Sequence, residues 1–144
     1  MFILDTNAIS DLRANKPKQD AGLRAWAASQ PAAAQYLTTI TVLELEMGVL
    51  GLERRDPTQG AMLRAWMTGV LASFRGRILP FSEKAALICA ALNVPHLKPH
   101  RDSMSAAIAL EHGFTVVTDN LADFAVPGLT TINPWTGRTP RKGK

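Results

Sequence analysis

Short apolar runs of strand character alternate with longer segments of helical period along the chain, and this alternation limits the fold more than any other feature. Phe2, Ile3 and Leu4 form an unbroken apolar triplet, the pattern of a strand buried on both faces. A helix start follows (Ala8, Ile9, Leu12), then QDAGLRAWAASQ with Leu23, Trp26 and Ala27 at helical spacing. QYLTTI reads as a second strand and TVLELEMGVLGLERR as a helix broken at Asp56-Pro57. MLRAWMTGVLASF carries an apolar stripe of Leu63, Trp66, Met67, Val70, Leu71 and Phe74, which is assigned to the core in preference to a dimer face. RILPF is a short strand, Ser82 caps the helix EKAALICAALNV, and PHLKPH is a proline-bounded loop. DSMSAAIALEH is a helix closed by Gly113, FTVVT a strand, DNLADFAVPG a loop and LTTI a last edge strand. Strand-then-helix repetition of this kind predicts an α/β fold, a central parallel sheet with helices on both faces.

The chain has 144 residues, enough for one domain with a real core and no need of disulfides. Its 47% hydrophobic content is ordinary for a globular protein, and no apolar run reaches the 18 residues of a membrane span. A single cysteine, Cys89, assigned to the core, permits no intramolecular disulfide and fits a reducing compartment; with no export signal in sequence, the cytoplasm is expected. The net charge of +4 comes from Arg138, Arg141, Lys142 and Lys144, since residues 1–137 balance twelve basic against twelve acidic groups. We therefore expect a single domain over 1–137 and a basic, solvated tail over 138–144, to which no function is assigned.

The acidic residues carry the chemical signal. Asp5 directly follows the first strand, and the carboxyl ends of parallel strands are where open α/β sheets place their ligand sites. Glu44 and Glu46 lie about 200° apart on a helix and cannot share a face. Glu44 lies with Gly48 and Gly51, whereas Glu46 falls nearer the apolar side; periodicity alone does not choose between them. Asp102 opens a helix on whose face Ser105, Ala106 and Ala109 follow, a stripe of small residues that leaves space before the carboxylate. After the FTVVT strand, Asp119, Asn120 and Asp123 all offer oxygens. Taken singly, Asp5 and Asp102 are better explained as helix caps, Glu44 and Glu46 as ordinary exposed helix charges, and the loop residues by local hydrogen bonding. Gathered at one end of one sheet, they would repel unless a cation neutralised them, and hard oxygen donors suit Mg²⁺ or Mn²⁺. Zinc is not expected: His96 and His100 are separated by Pro99 and preceded by Pro95, and His112 closes a helix.

With those residues in view, the sequence resembles the PIN-domain endoribonucleases, in particular the VapC toxins and their FitB-like branch. LDTNAIS resembles the family's opening strand and first aspartate, Asp5. TITVLELEMGVL resembles its T-x-x-E-L-x-x-G helix, which assigns the family's glutamate to Glu44 and not Glu46. RDSMSAAIA resembles its D-x-x-I-A-A-x-A helix and carries the third acid over as Asp102, with Ser105 in place of the usual aliphatic residue. RILPF, VTDNLADF and INPW match further segments in order, so the likeness covers nearly the whole chain. No motif is specific alone; six in the right order are. The family's last acid lies in the loop T-x-[ND]-x-x-D-F, where this chain offers Asn120 and Asp123 with Asp119 as an extra acid. Asp123 helped by Asn120 is preferred, with Asp119 the alternative.

The resemblance implies a PIN-like fold and Mg²⁺- or Mn²⁺-dependent hydrolysis of RNA phosphodiesters, leaving a 5′-phosphate and a 3′-hydroxyl. It implies that Asp5 and Asp102 hold the metal, that Glu44 and Asp123 complete the cage directly or through water, and that Asn7 and Thr118 orient water or ligand. It also implies a homodimer acting as the toxin of a toxin–antitoxin pair, with a small VapB-like antitoxin that has a DNA-binding part and a segment covering the active site. A haloacid-dehalogenase-type phosphatase also starts with an aspartate after a strand, but it wants a second acid two residues on, where this chain has Asn7. A receiver domain needs an aspartate at a later strand end, which RILPF does not supply. A scaffold that binds RNA or a partner without cutting is the non-enzymatic alternative.

Overall fold

A computed structural model describes residues 1–136; the basic tail anticipated from the sequence lies outside the described residues. Five strands form one parallel sheet: β1 (Phe2–Leu4), β2 (Gln35–Thr38), β3 (Ile78–Leu79), β4 (Thr115–Val117) and β5 (Thr131–Ile132). Their order across the sheet is β3-β2-β1-β4-β5, with every neighbouring pair parallel. Ile3 stands beside Tyr36 on one side and Val116 on the other, which fixes β1 at the centre. From β1 the chain runs outward to β2 and β3, then returns to lay β4 on the opposite side. The seam between β1 and β4 is thus a switch point, and the carboxyl ends of both strands open onto the same edge.

Alternation along the central strands separates two cores. Leu4 and Val117 point to one face, where they pack with residues of α1 (Thr6–Asp11), α2 (Ala21–Ser29), α3 (Thr39–Arg55) and α4 (Pro57–Ser73). Ile3 and Val116 point to the other, against α5 (Glu83–Leu92) and α6 (His100–His112). The stripe around Trp66 belongs to the first core: Met67, Val70 and Phe74 are buried in it, and Trp66 packs half-buried against it. Cys89 is half-buried against the second core.

Side-chain caps start α1 to α5, and three helix boundaries differ from the sequence reading. QYLTTI does not remain extended to Ile40. Thr38 Oγ1 accepts the Thr41 N–H, and Thr39 and Ile40 already belong to α3. The β-branched run suggested a longer strand, but a threonine cap ends it. Pro57 does break α3 and also begins α4 as its first residue, where a missing N–H costs nothing. The cap Asp56 accepts the Gln59 N–H. α6 begins at His100, inside the segment read as a loop, so Asp102 sits in its first turn and not at its cap. The loop DNLADFAVPG contains a 3-10 turn over Leu121–Phe124.

Two glycines show how geometry demands the residue. Gly113 ends α6 in the left-handed region at φ 68°. At Gly60 a Cβ would come within 2.5 Å of Glu53 Cα, so α4 crosses α3 closely there. Near that crossing, Arg64 of α4 spans Glu46 and Glu53 of α3, with its closest contacts at 2.6 and 3.1 Å. Glu46 is thus a staple between helices, which explains why the helical wheel gave it no place in open solvent. Among the described residues no helix is long and apolar enough to cross a membrane.

Candidate functional site

The site is assembled where β1 and β4 end. Asp5 follows β1, is 5% exposed and caps α1, its Oδ1 accepting the Thr6 N–H at 2.8 Å. Thr118, fully buried after β4, donates its hydroxyl to Asp5 Oδ2 at 2.9 Å and accepts the Asn120 N–H at 3.0 Å. One hydroxyl thereby ties the first acidic residue to the loop that carries the last ones. In that loop Asn120 Nδ2 donates to Asp123 Oδ2 at 2.8 Å, and fully buried Asp119 accepts a bond from Asn7 Nδ2. Asp5 thus caps α1 with one oxygen while its other oxygen joins this hydrogen-bonded cluster.

Glu44 reaches the cluster from α3. Its Oε1 accepts the Thr6 hydroxyl at 2.6 Å, and Thr6 Oγ1 lies 3.1 Å from Thr41 Oγ1, one turn before Glu44. Its Oε2 faces Arg101 Nη1 at 3.4 Å. Glu44 and Asp102 both line a cleft of about 360 Å³, together with Pro99, His100 and Arg101. Asp102 is 3% exposed at its edge. Ala106 and Ala109, expected to leave space before it, are instead packed into the second core. The opening lies at the start of α6, toward Glu44. Glu44 also lines a second groove of about 220 Å³ with Thr6, Ser10, Arg13, Lys16, Gly48 and Trp66. A Cβ on Gly48 would meet nothing within 4 Å, so the helix face beside Glu44 is open there.

The described contacts join Asp5, Glu44, Asp119 and Asp123 to hydroxyl and amide groups of Thr6, Thr118, Asn7 and Asn120. Sequence reasoning passed over Thr41 and Arg101. The signals were Thr41 three residues before Glu44, hence on its helix face, and a cation directly beside Asp102. Among the described residues, no group of three or more His, Cys, Asp or Glu side chains is drawn together tightly enough to hold a metal ion. The donors are nevertheless hard oxygens, and Mg²⁺ characteristically takes only one or two carboxylates with waters and phosphate oxygens. Two buried amide oxygens, Asn7 Oδ1 and Asn120 Oδ1, have no hydrogen-bond partner among the described residues. A buried acceptor of that kind is satisfied by a water or another polar ligand, so the residues fit a hydrated divalent ion.

A cleft lined by Glu44 and Asp102 beside the carboxyl ends of a five-stranded parallel sheet defines the class: an α/β domain that gathers acidic side chains at its switch point. The PIN domain family matches residues 2–126, and the chain belongs to that family, in its VapC- and FitB-like branch. It is 35% identical over 143 residues to VapC ribonuclease Y4jK of Sinorhizobium fredii, covering 94% of this chain and 98% of the relative. It is 33% identical over 141 residues to Toxin FitB of Neisseria gonorrhoeae, covering 94% and 99%. The crystal structure of FitAcB from Neisseria gonorrhoeae superposes with a TM-score of 0.84 at 33% identity, covering 94% of this chain and 99% of that one.

Proposed function

We infer that the protein is a PIN-domain endoribonuclease, the toxin of a type II toxin–antitoxin system, hydrolysing RNA phosphodiester bonds with Mg²⁺ or Mn²⁺. The observation that carries the reading is the set of contacts linking Asp5, Glu44 and the 118–123 loop at the switch point, beside a cleft that Glu44 shares with Asp102. Family membership along nearly the whole chain supports the same conclusion.

In this reading Asp5 and Asp102 hold the cation, while Glu44 and Asp123 complete its surroundings directly or through water. Asp119 is weighed against Asp123 because it is the more deeply buried. A bound divalent ion lowers the pKa of its water and polarises the phosphate. The protein's own part is orientation. The Thr6 N–H and the Thr118 hydroxyl hold the two oxygens of Asp5, so the carboxylate cannot rotate freely. Thr6 likewise fixes one oxygen of Glu44. Asn7 and Asn120 each pair their amide nitrogen with an acid and keep a buried carbonyl oxygen for water or ligand. The grooves on either side of Glu44 give an RNA strand a path across the site. The toxin acts in the cytoplasm, as a homodimer, and is held in check by a VapB-like antitoxin.

Asp5→Asn keeps the cap on α1, because an amide oxygen still accepts the Thr6 N–H, but removes a charge from the site. Purified Asp5→Asn protein should retain its fold and lose RNA cleavage in Mg²⁺ or Mn²⁺. Continued cleavage by that variant refutes the reading. Phosphate release from small phosphoesters without RNA cutting would favour a phosphatase instead.

A further inference from the structure

We propose that Arg101 is an exchangeable counterion: it holds Glu44 in the free protein and transfers to the RNA phosphate when substrate binds. The inference rests on the ribonuclease reading above and adds to it a phosphate-binding residue and a device that limits metal occupancy.

Arg101 and Asp102 are adjacent in the first turn of α6, about 100° apart around the helix. That angle turns Asp102 inward and leaves Arg101 at the cleft mouth, its side chain 48% exposed. Its contact with Glu44 is made by Nη1 alone, at 3.4 Å. Charge-assisted bonds close to about 2.7–2.9 Å when they are well formed. The same protein provides the contrast, because Arg64 grips Glu46 through Nη1 and Nη2 at 2.6 and 3.0 Å. Arg64 is a fixed fork between two helices, whereas Arg101 touches Glu44 with one corner of its guanidinium. Glu44 does not need Arg101 for its orientation, since Thr6 Oγ1 already holds its other oxygen at 2.6 Å. Arg101 can therefore leave without releasing Glu44.

Arginine matches a phosphate bidentately and stays charged at every working pH. Sharing the cleft lining with Glu44 and Asp102, it is placed to meet a phosphodiester lying against a cation held by Asp102. Without RNA, its positive charge beside Glu44 opposes entry of a divalent cation by simple repulsion. With RNA, the incoming phosphate draws it away and that opposition falls. Loss of Arg101 should thus move two affinities in opposite directions, which damage to the fold would not do.

The experiment compares wild type, Arg101→Gln and Arg101→Lys by Mn²⁺ titration without RNA and by binding of an RNA oligonucleotide in EDTA. Arg101→Gln should bind Mn²⁺ about threefold to tenfold more tightly and RNA about tenfold more weakly, the loss of one charged phosphate contact. Arg101→Lys, which keeps the charge without the fork, should restore wild-type Mn²⁺ affinity and only part of the RNA affinity. Unchanged or weaker Mn²⁺ binding by Arg101→Gln, or unchanged RNA binding, overturns the exchange. If wild type itself binds no Mn²⁺ and cuts no RNA, the ribonuclease reading fails and this inference with it. Those outcomes are distinct.

Discussion

Replacing Thr118 with valine tests whether one buried hydroxyl organises the site. Valine keeps the shape and β-branching of threonine, so packing against the sheet is preserved. What disappears is the donor to Asp5 Oδ2 at 2.9 Å and the acceptor for the Asn120 N–H at 3.0 Å. Thr118 is fully buried and Asn120 is 1% exposed, so water cannot readily replace the lost partner. A hydrogen bond to a charged group contributes about 1.5–3 kcal/mol, and a buried donor left unpaired costs about 1–3 kcal/mol. A methyl in place of the hydroxyl returns about 1 kcal/mol. The net loss is about 1.5–5 kcal/mol, which for a chain of this length lowers Tm by roughly 5–15 °C. Thr118→Ser keeps the hydroxyl, loses one methyl and should cost about 1 kcal/mol. Urea melts of the two variants, compared at equal m, give the difference directly. RNA cleavage should fall more steeply in Thr118→Val than in Thr118→Ser, because Asp5 loses a bond that orients it. If the valine variant is as stable and as active as the serine variant, the hydroxyl does not organise the site.

Glu46→Gln bears on acid stability. The hydrogen bond from Arg64 holds the Glu46 carboxyl below the usual glutamate range, outweighing a desolvation that acts the other way, and the Arg64 charge adds to it. A depressed carboxylate stabilises the fold above its unfolded pKa, and that contribution is lost as pH falls through the folded value. Stability curves of Glu46→Gln should therefore lose part of the acid limb seen in wild type, read by Tm against pH. Gly60→Ala places a Cβ within 2.5 Å of the Glu53 backbone and should cost about 1–3 kcal/mol, measured by urea denaturation. Gly48→Ala meets open space and should stabilise α3 by about 0.5–1 kcal/mol. Gly48→Phe should keep Tm but fill the groove beside Glu44 and lower kcat/KM for RNA, as steady-state cleavage would record.

Much of the fold was legible because Ile3 and Leu4 face opposite cores, so a two-sided strand had to read as an unbroken apolar run. Ser82 and Gly113 likewise announced the ends of their helices by their own chemistry. Boundaries failed where a local bond overruled propensity. Thr38 turned β-branched Thr39 and Ile40 into the first residues of a helix, and Pro57 served as a helix start as well as a stop. In the site, Asp5 was visible because its strand ends at the next residue back. The link from Glu44 to Thr6 was not, because it spans 38 positions and depends on how α1 lies against α3. Arg101 was hidden although it adjoins Asp102 in sequence, because only the fold brings Glu44, 57 positions away, before it. The small residues after Asp102 suggested an opening, but Ala106 and Ala109 serve the close packing of α6 instead.

The most direct test of the account is equilibrium Mn²⁺ binding, followed by electron paramagnetic resonance, for wild type, Asp5→Asn and Asp102→Asn. Asp5 and Asp102 are 97 positions apart in the chain, so only the fold can make them ligands of one ion. The account predicts a Mn²⁺ site in wild type that either substitution removes, with circular dichroism and Tm showing an intact fold. Undiminished Mn²⁺ binding in both folded variants would contradict it.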